Sequence, residues 1–418
     1  MFDHDKWMEI WVTITRNKTR SLLTCFGVFW GILMLVVLLG AGNGLQNSMS
    51  LAVKGFASNS LFYYTDRTSE AYKGFNKGRS WNMRNRDIEA ILSNVEGIEA
   101  VSPVLFGAGG EKNIVYKSLS GTFKVKGIAP EYFLIEGQEI VYGRLLNKVD
   151  EQTKRKVCVI GSKINDVLFK GDDSCGKYIR INGLHYQIVG VSKQLATGMN
   201  MGGRAEETAF LPFSTMQHTL NQGDIIHLLC VLGARGYDIN KTEKEVETII
   251  KRQNQIAPSD PQALTVVNAA KQFGVFELLF VGIDTLVWLV GMGTLLAGII
   301  GISNIMMVTV KERTREIGVR RALGAKPFDI ISQVMSESLV LTALAGLLGL
   351  TAGVFLLDVV NKILLANPTE NPAIVDPSVD IQTALTATVI LLLCGLLAGL
   401  IPAWRALQIK AIDAIRDE

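Results

Sequence analysis

The segment "KERTREIGVRRALGAK", residues 311–326, separates two of the most apolar runs of the chain. The run "LVWLVGMGTLLAGIIGISNIMMV" (286–308) precedes it, and "LVLTALAGLLGLTAGVFLL" (339–357) follows it. Half of its sixteen residues are charged: six are Lys or Arg and two are Glu. Because about 20 apolar residues suffice for a helix to cross the hydrocarbon core of a membrane, the pattern predicts a charged turn between two membrane helices.

The composition of the whole chain agrees with a membrane protein that has a large polar part. Of its 418 residues, 48% are hydrophobic and only 19% are charged, which is too apolar for an ordinary soluble enzyme. The formal net charge of +3 gives no indication of nucleic-acid binding.

Four runs without charge are long enough to cross a membrane, namely 21–53, 285–310, 338–357 and 381–404. A cleaved signal peptide is the alternative for the first run, but its apolar core of about 20 residues exceeds the 7 to 15 that are usual for signal peptides. The predicted fold is an α-helical membrane protein with four transmembrane helices and a large α+β extracytoplasmic domain inserted between helices 1 and 2.

The predicted segments follow from these runs. They are a cytoplasmic amphipathic helix with Trp anchors (1–20), transmembrane helix 1 (21–43), the outer domain with stalk ends (44–276), transmembrane helix 2 (277–310), a cytoplasmic loop (311–329), transmembrane helix 3 (330–357), an outer loop (358–380), transmembrane helix 4 (381–404) and a cytoplasmic tail (405–418). Lys and Arg concentrate before helix 1, in 311–326 and in the tail, so both termini are expected in the cytoplasm and residues 45–276 outside.

The outer segment has the periodicity of a folded α+β domain. Amphipathic helices are predicted near residues 86–95, with Ile88, Ile91, Leu92 and Val95 on one face, and in 239–257, with Val246, Ile249 and Ile250 towards a core. Strands are predicted in "IEAVSPVL", "KVCVIG", "GKYIRINGLHYQIVGV" and "IIHLLCVLG". Two helix-and-strand groups around a mostly β middle suggest two subdomains, the second inserted into the first.

Helices 1 and 2 are longer than the membrane requires. Each covers about 50 Å against a hydrocarbon core of about 30 Å, so the surplus predicts a stalk. The alternative for helix 1 is a break at "GAGNGL" (40–45), where three glycines weaken the helical pattern.

No pattern for chemistry is found in the sequence. It lacks GxxxxGK[ST], GxSxG and zinc-ligand spacing, so no catalytic, cofactor-binding or metal-binding residue is predicted and the chain is not expected to be an enzyme. Cys158 and Cys175 are expected to be free thiols; a disulfide between them in an oxidising compartment is the alternative.

Small residues recur every four positions in the predicted spans, a spacing that lets helix backbones approach closely, either within one chain or between two copies. They are Gly293, Ala297, Gly301, Ala345, Gly349, Gly353, Gly395 and Gly399. Glu337 and Asp284 lie at the margins of spans, where helix pairing or an interfacial position is expected and ion translocation is the alternative.

The charged segment 311–326 has the features of a short helix. Glu316 and Arg320 are an i,i+4 pair, Glu312 and Arg315 are an i,i+3 pair, and Gly324 is suited to end a helix. A basic topology anchor would need no glutamates and no helix terminator, so binding of a cytosolic partner is the preferred interpretation.

The same residues carry a resemblance to a family. "KERTREIGVRRALGAKPFDIISQVMSESLVLTALAGLLGLTAGVF" (311–355) and "LLAGLIPAWRALQIKAIDAIRDE" (396–418) resemble the permease domain of MacB/FtsX-type ABC transporter permeases. Residues 17–44 resemble the first span of that family, and 125–146 with 157–171 resemble its MacB-like periplasmic core domain.

The resemblance implies a partner and a mechanism. The loop 311–326 is expected to dock on an ABC ATPase, which holds ATP and Mg and is a separate subunit because only about 20 residues precede the first span here. A homodimer or pseudo-symmetric heterodimer in the bacterial inner membrane is expected, in contact with membrane lipid, with a membrane-fusion protein and an outer-membrane factor as further partners. The residues implied in ATPase coupling are Glu312, Arg313, Arg315, Glu316, Ile317, Arg320, Arg321, Leu323 and Gly324.

The expected function is that of the permease subunit in an efflux or mechanotransmission complex that exports a hydrophobic drug, peptide or lipid-linked cargo. Two alternatives stay open within the resemblance: an FtsX-like envelope regulator of cell-wall hydrolases, and a subunit of a lipoprotein-releasing translocase.

Overall fold

The computed structural model describes residues 18–107, 112–195, 202–367 and 373–408. It divides into a membrane unit, up to Ser48 and from Leu278 onward, and an outer domain, Met49–Glu277. The amphipathic helix predicted within 1–20 lies almost wholly outside the described residues, as does the tail from residue 409.

The elements are numbered in chain order. The helices are α1 (Lys18–Ala52), α2 (Asn85–Asn94), α3 (Tyr132–Ile135), α4 (Lys148–Gln152), α5 (Ser162–Phe169), α6 (Phe213–Thr219), α7 (Ile239–Gln253), α8 (Ala269–Glu312), α9 (Thr314–Ala322), α10 (Pro327–Ala366) and α11 (Ile381–Leu407). The strands are β1 (Ser60–Thr65), β2 (Met83–Arg84), β3 (Ile98–Phe106), β4 (Lys112–Tyr116), β5 (Leu119–Ile128), β6 (Gln138–Gly143), β7 (Val157–Gly161), β8 (Tyr178–Ile181), β9 (Leu184–Gln194), β10 (Thr208–Pro212), β11 (Ile225–Ile226), β12 (Leu228–Gly233) and β13 (Leu264–Asn268).

Among the described residues, four helices are long and apolar enough to cross a membrane: α1, α8, α10 and α11. Each is longer than the predicted span, because the helical hydrogen bonds continue past the apolar run into polar sequence. The outer loop predicted at 358–380 is correspondingly shorter, since α10 continues to Ala366. Helix α1 runs through "GAGNGL" without a break, and the 44 residues of α8 cover about 66 Å.

Most strands of the outer domain belong to one large sheet. Strands β5, β4, β8, β9, β7 and β10 pair in that order, and β10 pairs again with β5, which closes a ring. From β5 the sheet continues through β3, β12 and β1 to β13. The ring comes from the middle of the domain sequence and the extension from its two ends. This is the predicted insertion, except that β5 belongs to both parts.

The predicted helix faces agree with the structure at most positions. On α7, Val246, Ile249 and Ile250 are buried as expected. On α2, Ile91 is buried, but Leu92 is 56% exposed, so its assignment to the core was wrong. Leu92 lies one position, or about 100°, around the helix from Ile91, which places it beside the contact with the sheet.

The disulfide alternative is also wrong, because Cys158 and Cys175 are free thiols. Cys158 is buried in the core of the ring, in the same hydrophobic cluster as Ile160. Cys175 lies in the turn before β8, next to Gly143.

A buried carboxylate organises the segment between α7 and β13. Asp260 Oδ1 accepts hydrogen bonds from Ser69 Oγ at 2.7 Å and from the amides of Gln262 and Ala263 at 3.0 and 3.1 Å. Its Oδ2 accepts from the amides of Ser69 and Glu70 at 2.8 and 3.1 Å. Burial alone would raise the pKa of Asp260, but these hydrogen bonds outweigh it and lower the pKa below its ordinary value.

This site predicts an acid-dependent stability. Because the folded-state pKa of Asp260 is depressed, its contribution is complete above the unfolded pKa of about 3.9 and is lost as the pH falls below it. We expect Asp260→Asn to cost about 2 kcal/mol at pH 7 and to lower the unfolding midpoint of the outer domain by about 5 °C. Hydrogen exchange over a temperature series measures the midpoint. Asp66→Asn, at an exposed carboxylate nearby, should leave it unchanged.

The prediction would be contradicted by an unfolding midpoint that differs by the same amount between wild type and Asp260→Asn at pH 7 and at pH 3. The ionised carboxylate would then not be the stabilising species.

Candidate functional site

The charged segment folds as a separate short helix between two long ones. Helix α8 ends at Glu312, α9 covers Thr314–Ala322, and α10 begins with Pro327 in its first turn. Gly324 has a φ of +93°, in the left-handed region that favours glycine, and so turns the chain between α9 and α10. Glu312 and Arg315, predicted to pair along one helix, therefore lie in different helices.

A nearly buried ion pair joins the start of α9 to α10. Arg313 Nη1 lies 3.0 Å from Glu337 Oε1, and the two side chains are 18% and 4% exposed. Glu337, which lies at the margin of a predicted span, thus pairs α10 with the start of α9. Helix pairing is one of the roles that the sequence favoured for it. A charge-assisted hydrogen bond in a place with little water is strong and holds the α8–α9 junction on α10.

Like Arg313, two more of the arginines expected to dock on a partner bind their own chain. Arg320 donates to Glu316 Oε1 at 2.8 Å and to Gln333 Oε1 at 2.9 Å. Arg321 Nη1 donates to the backbone carbonyl of Leu407, at the end of α11, at 2.7 Å. These bonds fix the orientation of α9 relative to α10 and α11.

The other predicted coupling residues differ in whether they are buried or exposed. Ile317 is buried in the hydrophobic core of the membrane unit, whereas Glu312, Arg315, Glu316 and Gly324 are exposed. Leu323 is 83% exposed, more than any other large apolar side chain in the described part of the chain.

Phe328 was missed by the sequence analysis. It is 74% exposed in the first turn of α10, directly after the charged segment. The sequence feature that could have indicated Phe328 is a large aromatic side chain directly after Pro327, a residue that often begins a helix. Together with Leu323, it forms what we call the apolar tip, at the turn between α9 and α10.

The small residues of α10 lie where helices approach closely. A Cβ atom added at Gly349 would lie 2.6 Å from the carbonyl oxygen of Phe29, and one at Gly353 would lie 2.8 Å from Cγ1 of Val36, both on α1. Ala345, also on α10, is buried.

On α11, Gly395 faces Thr342 of α10, and Gly399 faces Met335 and Ser338 of the same helix. Close backbone approach of this kind gives van der Waals contact where lipid supplies no hydrophobic drive.

The small residues of α8 have a different position. Within the described residues, a Cβ atom at Gly293 or Gly301 would contact nothing, and Ala297 is exposed. The glycines of α8 that approach α1 are instead Gly291, against Leu35, and Gly298, against Val28. Two roles were predicted for Gly293, Ala297 and Gly301. Close packing against another helix of the same chain is not seen for them among the described residues, and contact with a second copy of the chain stays a prediction.

The outer domain contains a buried polar network that was not singled out in the sequence. Lys126 on β5 and Glu136 after α3 are each 1% exposed. Lys126 Nζ donates to the carbonyl of Gly203 at 3.2 Å, and the Tyr132 hydroxyl donates to Glu136 Oε2. Burial raises the pKa of Glu136 and lowers that of Lys126, while the charge of each partner opposes the shift of the other.

This network lies next to a backbone contact between two segments of the outer domain. Residues 55–57 follow α1 and pair with residues 135–137: Gly137 N donates to Gly55 O, and Ala57 N to Ile135 O, both at 2.9 Å. Phe56, buried between these bonds, belongs to the same hydrophobic core as Tyr132.

Comparison with known proteins gives two matching family domains. The MacB-like periplasmic core domain matches residues 21–249, more than half of the chain, and the FtsX-like permease C-terminal domain matches residues 288–411.

Three relatives are each 26% identical to the chain. The macrolide export ATP-binding/permease protein MacB of Bdellovibrio bacteriovorus aligns over 97% of this chain and 60% of its own length. The pyoverdine export ATP-binding/permease protein PvdT of Pseudomonas entomophila aligns over 99% and 59%. The ABC transporter permease YknZ of Bacillus subtilis, whose name marks it as uncharacterized, aligns over 97% of both. The chain thus spans about 60% of the length of the two export proteins.

Among solved structures, the periplasmic region of MacB from Actinobacillus actinomycetemcomitans covers 54% of this chain and 95% of its own, at 18% identity and a TM-score of 0.43. The two domain matches together cover both the outer domain and the membrane helices that carry the charged segment. The chain therefore belongs to the MacB/FtsX-type family of ABC transporter permeases.

Proposed function

We propose that this chain is the membrane subunit of an efflux complex in which a separate ABC ATPase drives the outer domain through the segment 311–329. ATP and Mg would be held by the ATPase, and the exported cargo would be a hydrophobic drug, peptide or lipid-linked molecule. The names of the MacB and PvdT relatives, which describe export and ATP binding, support this assignment.

The proposed orientation has both termini in the cytoplasm and residues 45–276 in the periplasm of a bacterial inner membrane. It is supported by the Lys and Arg of 311–326 and by the description of the matching outer domain as periplasmic. We further propose assembly as a dimer, with a membrane-fusion protein and an outer-membrane factor on the outer side.

The apolar tip carries the proposal for ATPase docking. Leu323 and Phe328 are 83% and 74% exposed in a segment too charged to enter the hydrocarbon core, so lipid tails do not cover them. Exposed apolar side chains surrounded by polar residues are typical of a protein interface, where a few anchors of this kind supply most of the binding energy.

The test is recovery of the partner with the full chain. The affinity-tagged protein is purified from its own membranes in mild detergent with ATP, and P-loop ATPases are identified by mass spectrometry. Leu323→Asp and Phe328→Asp should each lower ATPase recovery about 30-fold, the equivalent of about 2 kcal/mol.

Leu365→Asp is the matched control, because Leu365 is 73% exposed near the opposite end of α10 and should leave recovery unchanged. Charge reversal at Arg320 or Arg321 is a poorer test, since it also breaks bonds within the chain. Recovery of no P-loop protein with the wild-type chain would refute the proposed function; equal recovery with Leu323→Asp, Phe328→Asp and Leu365→Asp would refute docking through the apolar tip.

A further inference from the structure

An extended segment at the outer end of the membrane unit is fastened to α1. Residues 373–380, which we call the strap, lead into α11. Val375 N donates to the carbonyl of Gly44 at 3.0 Å. The side-chain amides of Asn43 and Asn47 donate to the carbonyls of Ser378 and Asp376 at 3.0 and 3.2 Å. Three hydrogen bonds thus join one turn of α1 to a segment about 330 residues later.

The close approach requires glycine at one position of α1. A Cβ atom at Gly44 would lie 2.5 Å from Cγ2 of Ile374 and 3.1 Å from the Cα atom of Pro377. The first distance is shorter than real contacts allow, and the second involves backbone. By contrast, a Cβ atom at Gly42 would meet its nearest neighbour, Ile283, at an ordinary 3.9 Å. The glycines that weaken the helical pattern of "GAGNGL" thus serve different purposes.

The strap is also attached to α10. The side-chain amide of Asn361 donates to Asp376 Oδ1 at 3.2 Å. Asp376 has a φ of +45°, a left-handed conformation that suits Asp better than most residues and bends the strap at this point. Pro377 is buried, so the strap is packed as well as hydrogen-bonded.

Helix α10 provides a continuous connection from the charged segment to the strap. Its first turns hold α9 through Glu337 and Gln333, and its last turns carry Asn361. At 1.5 Å per residue its 40 residues cover about 60 Å. Between these ends it packs closely on α1 at Gly349 and Gly353.

We infer that the strap fastens α1 to α10 where α1 leaves the membrane, so that a displacement of the charged segment reaches the outer end of α1 through α10. This inference rests on the proposed function, because it needs an ATPase that moves the segment 311–329. Asn43, Gly44 and Asn47 are positioning residues in this view: they hold α1 to the strap and contact neither nucleotide nor cargo.

The test compares two glycine substitutions on the same helix. Gly44→Ala and Gly42→Ala raise helix propensity equally, but only Gly44→Ala places a methyl group against the strap. The full chain with its co-purified ATPase is placed in nanodiscs, and hydrogen exchange is measured with and without a non-hydrolysable ATP analogue. We follow residues 373–380 for strap attachment and residues 49–56 for the end of α1.

We expect Gly44→Ala to increase exchange in 373–380 and to reduce the nucleotide-dependent change in 49–56 at least threefold, whereas Gly42→Ala should behave as wild type. If Gly44→Ala is recovered poorly, the double variant Asn43→Ala/Asn47→Ala, which removes two of the three bonds, should give the same changes.

Two results overturn the inference while leaving the proposed function intact: unchanged exchange of 373–380 in both strap variants, or a wild-type nucleotide response in 49–56 after the strap is released. Failure to recover an ATPase with the wild-type chain would instead remove the proposed function and this inference together.

Discussion

The variant Arg313→Met is expected to destabilise the junction of α8, α9 and α10 by about 3–5 kcal/mol, because it leaves the carboxylate of Glu337 buried without its cation. Glu337 is only 3% exposed, so water cannot replace the lost partner. We expect faster hydrogen exchange in residues 310–325 and at least tenfold weaker recovery of an ATPase.

The double variant Arg313→Met/Glu337→Met is the control that separates charge from packing. Replacing both members of a buried pair by apolar side chains is often neutral, so most of the lost protection should return. Wild-type exchange in Arg313→Met, or faster exchange in the double variant than in Arg313→Met, would contradict the role of the ion pair.

The same position tests the alternative of ion translocation. Glu337→Gln keeps the size of the side chain and one oxygen acceptor for Arg313. Under the helix-pairing role, any loss of the proposed export activity in Glu337→Gln should be accompanied by faster exchange in residues 310–325. Loss of that activity with normal exchange and normal recovery of the proposed ATPase partner would indicate that the carboxylate carries ions.

The second large effect is expected at the network of the outer domain. Lys126→Met leaves Glu136 buried without a countercharge and removes the bond to Gly203, so we expect a loss of about 3–5 kcal/mol in the free energy of unfolding of this domain at pH 7. Thermal unfolding of the full chain in detergent, followed by hydrogen exchange in β1 and β5, measures the loss.

The pH dependence of this loss has a defined sign. Burial raises the folded-state pKa of Glu136, so the neutral carboxyl group fits the site better than the ionised one. The destabilisation that comes from burying the ionised form is therefore small below the unfolded pKa of about 4.3, and it grows as the pH rises through the folded pKa. In Lys126→Met, which lacks the compensating ammonium, the destabilisation should therefore shrink as the pH falls from 7 to 4.

Two further variants make the measurement specific. Lys126→Met/Glu136→Gln removes both charges and keeps an acceptor for the Tyr132 hydroxyl, so it should recover most of the stability. Lys124→Met, two residues away on β5 with a half-buried side chain, should cost less than about 1 kcal/mol. An equal loss in Lys126→Met and Lys124→Met would show that the buried charge pair has no special role.

Much of the fold follows from local sequence patterns. Apolar runs predicted the four membrane helices and the domain between the first two, and Gly324 predicted the end of the short charged helix α9. The predictions failed where a single position depends on its surroundings: Leu92 has the helical phase of a core residue, yet it lies beside the contact with the sheet.

The sequence predicted where the candidate site lies in the chain, but it did not predict which of its side chains are exposed to a partner. The residues of 311–326 gave a short charged helix, and the Glu316–Arg320 pair is present as predicted. Which side chains remain available to a partner depends on residues far along the chain, since Arg320 binds Gln333 and Arg321 binds the carbonyl of Leu407. Phe328, outside the predicted set, became part of the site only through its exposure.

The sequence by itself determined the membrane architecture, the domain inserted between helices 1 and 2, and the family, because hydropathy, helix termination and motif spacing are properties of neighbouring residues. The tertiary structure decided which charges are paired inside the protein, which glycines serve close packing, and how the strap is fastened to α1. These contacts join residues such as Gly44 and Val375, or Lys126 and Gly203, and no local pattern specifies a hydrogen bond between positions that only packing brings together.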